Sequence, residues 1–160
     1  MIELKEGGLN DADDNNVGID DSKICYPGVY TCVTVTCVLG NTRLVGAHLA
    51  RMWSNGKINS SLNRILELSH GSTILSVFIV GMLSKWTFPQ NRMKAANFAT
   101  ETRAILGPNL PVWIFDTTGV ADTVAIDASR VGAGTHAAFI DVRWGDDNTR
   151  FLKPTDFTVG

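Results

Sequence analysis

Val29-Tyr30-Thr31-Cys32-Val33-Thr34-Val35-Thr36-Cys37-Val38 is the stretch whose reading decides the fold. Valine, threonine and tyrosine dominate it, and β-branched and aromatic side chains favour a strand. Successive side chains of a strand point to opposite faces. One face therefore carries Val29, Thr31, Val33, Val35 and Cys37, and is core-like. The other carries Tyr30, Cys32, Thr34, Thr36 and Val38, and sets Cys32 among hydroxyls.

The chain turns at Leu39-Gly40-Asn41-Thr42, and Arg43–Ala50 reads as a return strand, so the two form a hairpin. Parity then decides which side chains meet. A three-residue connection at Leu39–Asn41 pairs Val38 with Thr42 and sets Cys32 directly opposite His48. Directly opposed residues have Cβ atoms about 4.5–5.5 Å apart. Cys37, five residues after Cys32, faces the other way.

Beyond the hairpin, Ser60 and Ser61 cap an expected helix running to about His70, with Leu62, Ile65, Leu66 and Leu68 on its apolar side and Gly71 as its stop. Ile74–Leu83 is an almost continuous apolar run, as in a strand buried on both faces. A second helix is expected over Asn91–Leu106, ended by Gly107-Pro108. Strands follow at Pro111–Thr117, Ala121–Asp127 and Ala137–Trp144, the last two separated by a loop with Gly132 and Gly134. The pattern predicts an α/β (α+β) layered, sheet-rich domain of about six or seven strands with two main covering helices.

Charge divides the chain of 160 residues unevenly. Residues 1–22 hold seven acids against Lys5, with Gly7-Gly8 and Asp13-Asp14-Asn15-Asn16. They read as a flexible acidic leader with a short strand at Ile2–Leu4, dispensable for folding. Residues 23–160 read as the single globular domain. That body is mildly basic, but its Lys and Arg are scattered, which argues against nucleic-acid binding. The most apolar stretch, Thr73–Leu83, is far below the ~20 residues that span a bilayer. Without a basic and apolar leader, a cytoplasmic location is the expectation.

Chemistry is sparse. No glycine-rich phosphate loop opens a helix, and the three cysteines, Cys25, Cys32 and Cys37, lack zinc-ligand spacing. No cofactor or metal is expected. Cys32 with His48 is the best constellation, since an imidazole can take a thiol proton and a thiolate is the nucleophile. The plain alternative is that Cys32 fills the core and His48 is structural. His136 is a second candidate base. The tryptophans are expected to pack, with Trp53 and Trp86 placed near loops where they could line a pocket.

Thr31-Cys32-Val33-Thr34-Val35 followed by Gly46-Ala47-His48-Leu49 resembles the CheD family of chemoreceptor glutamine deamidases, and the related catalytic domains of cytotoxic necrotizing factor and other bacterial deamidase toxins. The succession of strand (Leu75–Leu83), helix (Asn91–Leu106) and strand (Val112–Phe115) follows the same order. The resemblance covers Gly28 to Trp144. It implies a CheD-like fold and a cysteine amidohydrolase that acts on glutamine side chains of a partner protein without a cofactor. Cys32 would be the nucleophile, with a lowered thiol pKa. His48 would be the base, and Thr34 would support the histidine. The alternative is a catalytically inactive binding module of the same fold, holding a partner protein or small ligand.

Overall fold

The computed structural model describes residues 1–6, 14–51, 53–86, 97–131 and 137–160. Its described residues form two helices and eleven strands in two sheets, more strands than the six or seven expected. The five-stranded sheet has the order β1-β3-β8-β9-β10, from Ile2–Glu3 (β1), Lys23–Val29 (β3), Val124–Arg130 (β8), Ala138–Trp144 (β9) and Asn148–Phe151 (β10). The six-stranded sheet has the order β11-β7-β6-β4-β5-β2, from Thr158–Val159 (β11), Val112–Asp116 (β7), Ile74–Gly81 (β6), Val33–Leu39 (β4), Leu44–Leu49 (β5) and Val17–Asp20 (β2).

The predicted first strand is in fact two. Val29 ends β3, the chain bends at Tyr30–Cys32, and β4 begins at Val33, so the two halves of the quoted stretch belong to different sheets. Every residue of β4 and β5 is buried, because the six-stranded sheet is covered on both faces. Thr34, Thr36, Gly46, His48 and Phe78 point toward the five-stranded sheet. Val33, Val35, Cys37, Ala47, Val77 and Ile79 point the other way, by strand alternation, toward the helix layer. Helix α1 (Asn55–Leu68) lies against β5, β2 and helix α2 (Phe98–Leu106). The result is three layers: helices, six-stranded sheet, five-stranded sheet.

Local chemistry explains the helix ends. Ser54, rather than Ser60 or Ser61, caps α1 by accepting the Lys57 N–H at 3.2 Å. Ile58, Leu62 and Ile65, spaced four and three residues apart, form its buried stripe. Gly71 takes a φ of 83° just beyond, a left-handed turn that glycine enters without a Cβ penalty. Ser61 is buried and accepts from Asn16 Nδ2 at 2.9 Å. Of the expected second helix, residues 97–106 lie among the described ones, and Phe98, Ala99, Thr102 and Leu106 are buried.

Residues 1–6 and 14–22 depart from the leader expectation, and residues 7–13 lie outside the described residues. β1 pairs in parallel with β3, and β2 pairs antiparallel with β5. Leu4 and Val17 are core residues, and Asn16 is buried. Acidic composition concealed this because the apolar residues here are few and short-ranged, and both strands depend on tertiary pairing.

The sheets are stitched at one end. Tyr26 of β3 is fully buried, and its hydroxyl lies 2.7 Å from Thr36 Oγ1 and 3.3 Å from the Val35 carbonyl oxygen of β4. The approach is so close that a Cβ at Gly46 would fall 1.9 Å from the Tyr26 oxygen. The outer face of the five-stranded sheet carries charged side chains together with the exposed rings of Phe139 and Phe151, by strand alternation. There Asp127 accepts from Arg143 Nε at 2.7 Å and Nη2 at 3.2 Å. Among the described residues no helix is long and apolar enough to cross a membrane.

Candidate functional site

The hairpin register places the expected site residues. Val38 pairs with Leu44, not Thr42, because the connection spans Leu39–Arg43. Leu39 N–H reaches the Arg43 carbonyl at 3.0 Å, and Asn41 Oδ1 accepts the Arg43 N–H at 3.2 Å. The connection is odd in length, as the parity reading required, but two residues longer. His48 therefore stands across from Thr34, and Cys32 lies one turn of the alternation away, in the bend before β4.

Thr34 is buried and donates its hydroxyl to the Val80 carbonyl at 2.7 Å, a bond within the sheet rather than to His48. His48 is fully buried, and its Nδ1 lies 2.8 Å from the Leu4 carbonyl oxygen. A carbonyl only accepts, so Nδ1 carries the proton. Burial holds the imidazole pKa below its ordinary value, against the opposing pull of the Leu4 carbonyl and the Glu6 charge. The ring is thus neutral with a lone pair on Nε2, and Nε2 is buried with no hydrogen-bond partner among the described residues. The Tyr26 ring meets it edge-on at 6.1 Å between centroids.

Cys32 is also buried, and its thiol donates to Glu6 Oε2 at 3.6 Å. Burial pushes the thiol up to about 12, and the neighbouring Glu6 carboxylate adds to the shift by charge and by binding the protonated form. The backbone N–H groups of Tyr30 and Thr31 oppose it by favouring the thiolate. This is the reverse of the lowered pKa expected for an activated nucleophile. No hydrogen bond joins Cys32 to His48; each is engaged by the N-terminal segment instead. Cys37 is fully buried, and Cys25, on the outer sheet face, is pushed up to about 11 by burial and by Asp127. His136 lies outside the described residues.

A second feature has no counterpart in the sequence reading. Where β6 and β7 face β9 and the residues after β10, the sheets part around a cleft of about 910 Å³. Phe78, Trp113, Phe139, Phe151 and Phe157 line it, along with Pro111 and Pro154. Phe157 anchors its floor by edge contacts with Phe78 at 5.4 Å and Trp113 at 6.4 Å. Phe139 and Phe151 are 64% and 69% exposed, unusual for large apolar side chains on sheet strands. Lys153 stands among the mostly apolar lining.

Trp53 and Trp86 do not line this cleft. Trp86 is buried, its indole N–H on the Thr31 carbonyl at 3.0 Å and its ring against Phe98. Trp53 is buried as well, with the Lys57 ammonium 5.1 Å from its ring centroid. The signal for the cleft was the aromatic content after Trp144, where Phe151 and Phe157 follow no strand or helix period. Among the described residues no group of three or more His, Cys, Asp or Glu side chains is placed to hold a metal ion.

Comparison of the chain with protein-family models, with curated proteins and with solved structures returned no match.

Proposed function

We propose that this domain is a binding module with a CheD-like arrangement of layers, and that its ligand is a small, largely apolar molecule held in the cleft between the sheets. One observation carries the reading: a cleft of about 910 Å³ walled by five aromatic side chains. Pockets for small molecules have volumes of about 300–1,000 Å³, mostly apolar walls and few polar groups. Flat aromatic rings in such walls bind planar apolar groups by offset or edge contact.

The test is a screen of small aromatic compounds by amide chemical-shift perturbation. Compounds that bind should move resonances of Trp113, Ile140 and Leu152 together, and Trp113→Ala should abolish the shifts while the protein stays folded. A screen in which no compound perturbs these residues would end the proposal.

A second reading keeps the amidohydrolase, with Cys32 as nucleophile, His48 as base and Thr34 in support, acting on protein glutamine side chains. It is favoured by one observation, a buried His48 whose Nε2 has no hydrogen-bond partner among the described residues. It needs a thiolate, which the surroundings of Cys32 disfavour as they stand. Ammonia release from a glutamine-bearing protein, lost in Cys32→Ala, would establish it.

A further inference from the structure

One short segment reaches both Cys32 and His48: burial is the largest cause of both pKa shifts, Glu6 adds to it at the thiol, and the Leu4 carbonyl and Glu6 charge favour the protonated imidazole. The Leu4 carbonyl takes the His48 Nδ1 proton bond, and the Glu6 carboxylate takes the Cys32 thiol proton. Behind them the opposite tendency is built in. Backbone amides of Tyr30 and Thr31 face the sulfur, and Nε2 of His48 has no hydrogen-bond partner among the described residues. A buried polar atom without a partner is costly and rare, so this one calls for a use.

The segment is attached as a strap is attached. β1 pairs with β3 over only two residues at the edge of the sheet. Its backbone continues with Leu4 N–H on the Cys25 carbonyl at 2.8 Å and Lys5 N–H on the Asn15 carbonyl at 3.2 Å. The Ile2 and Leu4 side chains close over Gly18 of β2, and the exposed terminal ammonium meets Asp20 at 3.2 Å. Edge strands this short open locally at free energies well below that of global unfolding.

We propose that residues 1–6 are a releasable strap over a latent thiol site. Seated, the strap keeps Cys32 protonated and His48 shut from solvent. Released, it takes away both the Glu6 carboxylate and the Leu4 carbonyl, leaving a thiol faced by backbone amides two residues before Thr34, the strand partner of His48. The site then takes a soft carbon electrophile at sulfur. This inference is independent of the cleft and holds whether or not the cleft binds a ligand.

The test is residue-resolved alkylation of the full-length protein by iodoacetamide, read by mass spectrometry across low urea concentrations. The thiolate displaces iodide, forming a carbon–sulfur bond, and the thiol proton passes to solvent. Cys32 should label through local opening, at a rate nearly flat in urea, whereas the fully buried Cys37 should label only as the whole fold opens, at a rate rising steeply. Leu4→Ala should speed Cys32 labelling at least tenfold in the absence of urea, while Cys37 rises only with the lost global stability and keeps its steep urea dependence. Adding His48→Ala should remove most of that gain. Parallel urea dependence of Cys32 and Cys37 in the unaltered protein would overturn the strap, even if Leu4→Ala fails to fold. So would a folded Leu4→Ala variant in which Cys32 is no faster, or in which Cys32 labelling takes on the steep urea dependence of Cys37. An unchanged gain after His48→Ala would overturn the part given to the imidazole.

Discussion

The two ends of the sheet sandwich solve the same packing problem differently. At the β3/β5 end a tyrosine hydroxyl crosses the gap to Thr36, a glycine makes room for it, and Leu4 and His48 complete the seal. At the β7/β9 end Phe78, Trp113 and Phe157 pack on one another beside an open cleft, with Phe139 and Phe151 on the outer face of their own sheet. Small residues beside one large polar ring draw sheets together. Where large rings crowd one sheet instead, a cleft is left open beside them. The difference teaches that closure is local to side-chain pairs and is not a property of the sheets.

The strongest challenge to that comparison is to remove the closing segment. Deletion of residues 1–20 takes away β1, β2 and the buried Leu4 and Val17. It should abolish the cooperative thermal transition seen by circular dichroism. A truncated chain that melts near the intact one would mean the closed end seals itself.

A smaller effect is expected at the stitch. Gly46→Ala puts a methyl group where the Tyr26 oxygen lies, and should cost about 1–3 kcal/mol by overpacking. In a Tyr26→Phe background the nearest ring carbon, at 3.1 Å, leaves that methyl almost enough room, so the alanine should cost less. Urea denaturation of the four proteins in this cycle measures the coupling. Additive effects would show that the hydroxyl is not what closes the sheets.

Acid should find the same end. The His48 pKa is depressed in the folded protein, so below the unfolded value of about 6.5 the unfolded chain binds a proton that the native state refuses. Stability should therefore fall as pH drops below about 6.5, and His48→Gln should flatten that stretch of the profile. An unchanged slope between pH 6.5 and 5 would place the acid sensitivity elsewhere.

The smallest effect belongs to the open end. Phe139→Ser and Phe151→Ser should each change stability by no more than about 0.5 kcal/mol, because both rings are already largely in solvent. A larger loss would mean that the cleft is closed in solution.

The fold was legible where local chemistry is strong. Ile74–Gly81 and Val112–Asp116 fall within the runs expected for them, since buried strands advertise themselves by continuous apolar sequence. The end of α1 was readable from Gly71. The hairpin parity was also legible, because an odd connection keeps His48 on the Thr34 face. Its register was not, since Asn41 and Thr42 extend the turn by side-chain and left-handed backbone contributions that composition does not reveal.

Segments that become ordered through distant partners stayed hidden. β2 needs β5, β10 needs β9, and β11 needs β7. Glu6 escaped notice for the same reason. Nothing near it in sequence indicates that Cys32, twenty-six residues on, lies 3.6 Å from its carboxylate.

The contact between Gly46 and Tyr26 also bears on how kindred chains would be recognised. Substitution at one position sets the allowance at the other: a bulkier residue at 46 requires a shorter one at 26, and a retained tyrosine obliges glycine. These two sites should therefore change together over evolutionary time, even where the surrounding valines and isoleucines exchange freely. A Tyr–Gly couplet separated by nineteen intervening residues is thus a signature written by geometry, and it would mark distant kin whose overall similarity has worn away.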